Sequence, residues 1–298
     1  MKKLLIEFLK MNEVEYKENV LIKNMSPIKI GGIASIIIFP STINKLISAV
    51  NFLQDNEINY IVVGKMSNIL FKDCKVDAVI IKTDKIKGFE VSDGGVKVMA
   101  GDSISKVAIN LADAGYGGLS ELCGIPGSIG GLIYNNAGAF GKSIGDIVKS
   151  VKLYDPRAKD VIILKKDELS FGYRTSVLKK QKYVVLEASL DVVKDKSENI
   201  INEINKFKYL RSKTQPIGFP SLGSVFKRPN NGFASKLIDD AGLKGYAIGG
   251  AQVSSKHAGF IVNTGRATGE EYIALMEHIK RVVFEKFGIM LEEEIEII

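Results

Sequence analysis

The stretch Leu122–Gly141, LCGIPGSIGGLIYNNAGAFG, constrains this chain more than any other. It holds six of the 29 glycines (Gly124, Gly127, Gly130, Gly131, Gly138 and Gly141) and no charged side chain. Glycine loses more conformational freedom on ordering than any other residue, so such a segment belongs where backbone must approach something closely. Its polar side chains are Ser128, Tyr134, Asn135 and Asn136. It lacks both the strand–GxGxxG–helix layout of a dinucleotide fold and the GK[ST] of a P-loop. Two readings stand: a buried structural loop with tight turns, or a loop whose backbone N–H groups wrap a phosphate-bearing cofactor.

The 298 residues suggest two domains, one of them subdivided. No apolar run approaches the ~20 residues needed to span a bilayer. The start, MKKLLIEFLK, opens like a signal peptide, but Glu7 and Lys10 interrupt it and no small-residue cleavage site follows. It reads as an amphipathic helix with Leu4, Leu5, Phe8 and Leu9 on one face, and a cytoplasmic protein is expected. Cys74 and Cys123 fit a reducing compartment and offer no metal spacing. With only His257 and His278 as histidines, no metal is expected. The net charge of +7 comes from lysines spread along the chain, without a basic block interleaved with aromatics. That argues against nucleic acid and is compatible with an anionic small substrate. Arginines number six, so each deserves inspection as a bidentate carboxylate or phosphate ligand.

In chain order, residues 25–40 read as strand, turn at Gly31-Gly32, strand. Ser41 is expected to cap a helix to about Gln54, with Leu46, Ile47, Val50 and Leu53 facing inward. A short strand over 60–63 runs into the turn Gly64-Lys65-Met66-Ser67-Asn68. Strands are expected over 78–81 and 96–100, then a helix from Ser103 to Ala114. After the glycine stretch, strands return over 147–154, 161–164 and 183–193. A helix follows from Ser197 to about Arg211, then a change of texture, which places a domain boundary near 195–215. Further on come a helix over 234–241, a turn at Gly249-Gly250, a strand over 259–262 and a capping-box helix from Thr268 and Glu271 that stops at Gly288. A last strand is expected over 290–298. Strands dominating the middle third, with βαβ character before it, predict an α+β fold.

Three spots pair reactive side chains with irregular backbone. Tyr173-Arg174 sits at a turn between strands. Ser224 lies in SLGSVFK, which is not a GxSxG nucleophile elbow. Glu292, Glu293 and Glu294 lie on the terminal strand, where alternation puts Glu292 and Glu294 on one face. A surface arginine, a loop serine and a solvated carboxylate edge are the ordinary readings of each alone.

Together, IPGSIGG followed by NNAGAFG, then FGYRTS, GSVFK, AGLKGYAIGGAQVSSKHAGFIVN and FGIMLEEEIEII resemble, in order and spacing, the family of UDP-N-acetylenolpyruvoylglucosamine reductases (UDP-N-acetylmuramate dehydrogenases) of the shorter, type II kind. The resemblance covers roughly residues 25–298. It implies an FAD-binding domain of the p-cresol methylhydroxylase type over 1–195, with subdomains of about 1–80 and 81–195. It further implies an α+β substrate domain over 196–298, whose final strand 290–298 packs back on the FAD domain. FAD and NADPH are the implied cofactors, UDP-N-acetylglucosamine enolpyruvate the implied substrate, and a monomer the implied state. Implied catalytic residues are Arg174, Ser224 and Glu294. Implied flavin contacts are Gly64, Lys65, Ser67, Asn68, Gly124, Ile125, Pro126, Gly127, Ser128, Gly131, Asn136, Ala137 and Gly138. Candidate substrate contacts are Tyr173 and, for the substrate's diphosphate, Arg228, Lys227 and Arg211.

These roles are chemically coherent. Hydride addition to an enolpyruvyl double bond drives charge onto the neighbouring carboxylate. The always-charged fork of Arg174 stabilises that charge. Glu294 can help as an acid or through a hydrogen bond, so it is expected to be protonated or tightly paired with Arg174. Ser224 is expected to deliver a proton to carbon. The chain departs from the family pattern at Met66, where the flavin turn usually has glycine, and a positive φ there would strain it. It departs also at Met25-Ser26 in place of His-Thr, at Arg228 in place of asparagine, and at Glu293 in place of proline. Two other readings are a flavin oxidase of the same fold with another substrate and a catalytically dead UDP-sugar-binding protein.

Overall fold

The structure, a computed structural model, describes residues 1–92, 95–230 and 232–298. It divides into two compact units. One comprises Met1–Glu18, Ile36–Lys65 and Ala78–Tyr209; the other comprises Asn19–Ser35, Met66–Asp77 and Leu210–Ile298. Two excursions from the N-terminal half therefore belong with the C-terminal third.

The first unit has two cores. In the first, helices Lys2–Met11 and Ile43–Asp55 bury Leu5, Leu9, Leu46, Val50 and Leu53 together with Ile36, Ile38, Val79 and Ile81. Each such side chain contributes roughly 1.5–3 kcal/mol when fully buried. The strands behind them, Ile33–Phe39, Val79–Lys82 and Tyr60–Val63, run parallel, as connection through a helix requires. Thr42, rather than Ser41, caps the second helix: its side chain accepts the Lys45 N–H at 3.2 Å. The second core lies on a five-stranded antiparallel sheet in the order Asp160–Lys165, Val148–Asp155, Val184–Leu190, Gly95–Met99, Phe89–Ser92. Helix Ile104–Asp113 buries Ile104, Val107, Ala108, Leu111 and Ala112 in that core.

The glycine-rich stretch is only partly loop. Residues Ile129–Asn135 form a helix. Ser128 caps its start, accepting the Gly131 N–H at 3.4 Å, and Asn136, in the left-handed region at φ +43°, ends it. One of its glycines serves packing: a Cβ on Gly130 would stand 3.3 Å from Ala100. Close approach to the sheet outweighs glycine's poor helix propensity here.

The second unit packs helix Gly269–Phe287 on an antiparallel sheet in the order Ser221–Ser224, Phe260–Asn263, Ala251–Val253, Ala247–Ile248. The helix has the expected capping box of Thr268 and Glu271 and the expected Gly288 stop, at φ +69°. Two expectations fail in this unit. Residues 25–31 form turns rather than a strand. Ile28 and Ile30 are buried in the core without a ladder, and the Ile28 carbonyl accepts the Asn263 side-chain amide at 3.0 Å. The last strand is confined to Glu296–Ile297, which pairs in parallel with Ile69–Leu70, while Glu293 makes an isolated bridge to Phe226. Among the described residues no helix is long and apolar enough to cross a membrane.

Candidate functional site

In the first unit the expected flavin-contact segments converge. A Cβ on Gly64 would stand 2.0 Å from the Ser128 Oγ, so a larger residue there would displace the Ser128 side chain. The Lys65 ammonium lies 2.7 Å from the Ser103 Oγ, and Ser103 bridges to Ser128. Ser103 is the N-cap residue of helix Ile104–Asp113, yet its side chain makes no cap bond. Burial, then the neighbouring ammoniums of Lys106, Lys87 and Lys82, push the Lys65 pKa down against a smaller opposing effect of Asp84. A cation held against a helix N-terminus and among like charges is electrostatically frustrated. An anion such as a diphosphate relieves that frustration, and FAD carries one. Burial raises the Asp102 carboxyl in the same region, although it accepts the Gly88 N–H at 2.7 Å. The Gly124 N–H donates to the Ser105 Oγ at 2.9 Å, and a Cβ on Gly127 would overlap Leu132. Ile125 and Pro126 complete this loop.

The same unit brings the other end of the glycine stretch to Arg174. Asn136 donates to the Gly172 carbonyl at 2.8 Å and accepts the Gly145 N–H at 3.0 Å. Ser176 Oγ donates to the Tyr134 carbonyl at 2.8 Å. Arg174 itself, at φ +55°, donates from Nη2 to the Gly138 carbonyl at 3.1 Å, with its guanidinium 5.1 Å from the exposed Tyr173 ring. A left-handed arginine costs of order 1–3 kcal/mol, so the surrounding bonds over-determine it. Ala137 lies between Asn136 and the Arg174-bonded Gly138.

The second unit holds Ser224 and Glu294 on adjacent backbone. Strand Ser221–Ser224 shifts register between those two residues, with Gly223 at φ +81°, so the bulge re-aims the serine end. The Glu294 N–H donates to the Val225 carbonyl at 2.8 Å, and the Lys227 N–H to the Glu292 carbonyl at 2.8 Å. Asn68 donates from its side-chain amide to the Glu294 carbonyl at 3.0 Å. Met66 does adopt the left-handed conformation, at φ +54°, and is buried. Ser67 follows it, half-buried.

The expected substrate contacts have partners of their own. Lys227 forms an ion pair with Glu292. The Arg228 guanidinium lies 4.3 Å from the Phe233 ring centroid. Arg211 is buried, with Nη1 3.0 Å from the Gln215 Oε1. Glu293, which departs from the family pattern, pairs with Lys280 at 2.7 Å. Burial is the largest single influence on the Glu293 carboxyl and acts to raise it, but the Lys280 hydrogen bond, a backbone hydrogen bond and the charges of Lys280 and Lys227 together hold the group below its usual range. Sequence reasoning did not find Ser103, Ser105 or the Asn68–Glu294 bond. Ser103 was legible as a helix cap, whereas the bond joins residues 226 positions apart and left no local signal. Among the described residues no cluster of metal-ligating side chains occurs.

Comparison with known proteins agrees with this layout. Residues 34–162 match the FAD binding domain family, and residues 215–298 match the C-terminal domain of UDP-N-acetylenolpyruvoylglucosamine reductase. The UDP-N-acetylenolpyruvoylglucosamine reductase of Caldicellulosiruptor bescii is 42% identical over 98% of this chain and 93% of its own length. That of Clostridium botulinum is 37% identical over 97% of this chain and 96% of its own. The crystal structure of the Thermus caldophilus reductase superposes with a TM-score of 0.80 at 29% identity, covering 95% of this chain and 98% of that one. Fold and matches define a flavin oxidoreductase with FAD as its cofactor, on an α+β architecture. The chain belongs to the UDP-N-acetylenolpyruvoylglucosamine reductase family.

Proposed function

We propose that this protein uses NADPH to reduce the enolpyruvyl group of UDP-N-acetylglucosamine enolpyruvate, giving UDP-N-acetylmuramate for peptidoglycan, as a cytoplasmic monomer. The observation that carries the reading is the bond from the Glu294 N–H to the Val225 carbonyl, which puts an acid beside the Ser224 strand. Bound FAD supplies the chemistry of accepting hydride from NADPH and delivering it from N5. Gly64, Lys65, Ser103, Ser128 and the loop 124–131 would hold its diphosphate.

The chain's own residues handle charge and proton. Addition at the terminal carbon of the double bond leaves negative charge on the carbon next to the carboxylate. The Arg174 fork, oriented by its bond to the Gly138 carbonyl, stabilises that charge. The Ser224 hydroxyl is a weak acid, but an enolate carbon is a strong base, so a positioned neutral donor suffices. Glu294 acts as an acid or hydrogen-bond donor toward the substrate carboxylate, since an ionised carboxylate there would repel it. Lys227, Arg228, Arg211 and Tyr173 are proposed contacts of the UDP moiety. The domain roles, flavin-binding for the first unit and substrate-binding for the second, belong to the same proposal.

The test is NADPH oxidation by the purified yellow protein, with and without UDP-N-acetylglucosamine enolpyruvate. Oxidation must depend on that compound, and mass spectrometry must find UDP-N-acetylmuramate. Dependence on a different alcohol or sugar, with no such product, sinks the reading.

A further inference from the structure

The final segment of the chain is held by two kinds of bond. Backbone pairs join Glu296 to Ile69 and Ile297 to Leu70, and the Glu296 N–H donates to the Asn68 carbonyl at 2.9 Å. Parallel ladders space their bonds evenly. Continued one step toward Glu294, this ladder would send the Asn68 backbone N–H to the Glu294 carbonyl. The side-chain amide of Asn68 makes that bond instead, at 3.0 Å. The backbone cannot continue in strand conformation here, because Met66 at φ +54° turns it away two residues earlier. On its other side Glu294 is fixed by the bond from its N–H to the Val225 carbonyl. Both backbone polar groups of Glu294 are thus engaged, one through the turn 64–68 and one through the strand that carries Ser224.

We propose that Asn68 is a positioning residue for Glu294: its side-chain amide completes the clamp that sets where the Glu294 carboxyl reaches, and so ties the flavin turn to the protonation step. Asn68 acts through Glu294 and touches no reacting atom in this role. The inference rests on the function proposed above. Without the Asn68 bond the Glu294 carbonyl loses this anchor to the turn, and a misplacement of ~1 Å at a reacting group can cost on the order of 10²-fold in rate.

Two variants test this, Asn68→Ala and Asn68→Asp, the second keeping the side-chain shape without the N–H donor. Backbone amide exchange over residues 291–298 in the full flavin-loaded protein is the first readout. Faster exchange at the chain end in both variants is expected, and protection equal to wild type overturns the proposal whatever the enzyme's substrate proves to be. The second readout separates the half-reactions by stopped flow. Reoxidation of the reduced enzyme by UDP-N-acetylglucosamine enolpyruvate should fall about 10- to 100-fold, and reduction by NADPH by much less. The third is a double-mutant cycle: in a Glu294→Gln background, Asn68→Ala should cost no more than about twofold further, because its effect travels through Glu294. Equal losses in both half-reactions, or full multiplication of the two defects, would show that Asn68 serves only the flavin. If wild type itself ignores the enolpyruvyl substrate, the functional reading fails while the exchange result still decides the clamp.

Discussion

Glu294 donates its N–H to the carbonyl of Val225 at 2.8 Å, one residue beyond Ser224. A carboxyl and a hydroxyl carried on adjacent backbone have their spacing set by that backbone bond. Ser224→Ala should therefore cut reoxidation of the reduced enzyme by substrate by about 10²–10⁴-fold. Flavin reduction by NADPH, which needs no proton from Ser224, should remain. Stopped-flow absorbance separates the two steps, and a Ser224→Ala enzyme with wild-type reoxidation would end the assignment of Ser224 as donor.

Arg174→Lys keeps the charge and removes the fork. The bond to Gly138 and the left-handed backbone show how specifically the guanidinium is aimed. A drop of roughly 10²–10³ in kcat is expected, the magnitude seen when one preorganised stabilising donor is lost. Retention of more than about a third of wild-type kcat would mean that charge alone suffices and that the fork geometry is irrelevant.

Met66 combines two opposed terms. Its left-handed conformation costs roughly 1–2 kcal/mol, while its buried side chain contributes more, since truncating a buried methionine costs about 2–5 kcal/mol. Met66→Gly relieves the first and loses the second. Denaturant unfolding should show a net loss of about 1–3 kcal/mol; a gain in stability would show that strain dominates.

Tyr272 is fully buried in the second unit, and its hydroxyl has no hydrogen-bond partner there; burial alone drives its pKa sharply up. An unsatisfied buried hydroxyl costs about 1–3 kcal/mol. Tyr272→Phe should raise stability by ~1 kcal/mol or more. A loss of stability on that change would show that the hydroxyl is satisfied in solution.

Glu271 accepts the N–H groups of Gly250 at 2.9 Å and Thr268 at 3.0 Å, and these two bonds hold its carboxyl below the usual range despite the opposing effect of burial. A depressed folded-state pKa stabilises the fold above the unfolded value of about 4.3. The contribution is lost as pH falls through the folded value. Wild type should exceed Glu271→Gln in stability near neutral pH, and the gap should close below about pH 4. A gap that stays constant through acid titration would remove the carboxylate from the account.

Much of this was legible in the chain itself, and the failures share a cause. The capping box at Thr268, the stop at Gly288 and the turn at Tyr173-Arg174 are written in local chemistry, and the structure has them. The glycine stretch misled because glycine count signals loop, while Gly130 is needed only where the helix meets Ala100. Residues 25–31 carry an alternating apolar pattern that tertiary anchoring through Asn263 satisfies without a ladder. For the site, residue types pointed to Arg174, Ser224 and Glu294 through family motifs. What joins Glu294 to Asn68 and Lys65 to Ser103 is long-range, and no window of sequence contains it.

The central claim is that electrons pass from NADPH through bound FAD to the enolpyruvyl group. Following flavin absorbance anaerobically in the purified protein tests it most directly. NADPH should bleach the flavin, and UDP-N-acetylglucosamine enolpyruvate should restore its colour with one UDP-N-acetylmuramate formed per flavin. A protein that binds no FAD, or a bleached flavin that this compound leaves bleached, would contradict the account.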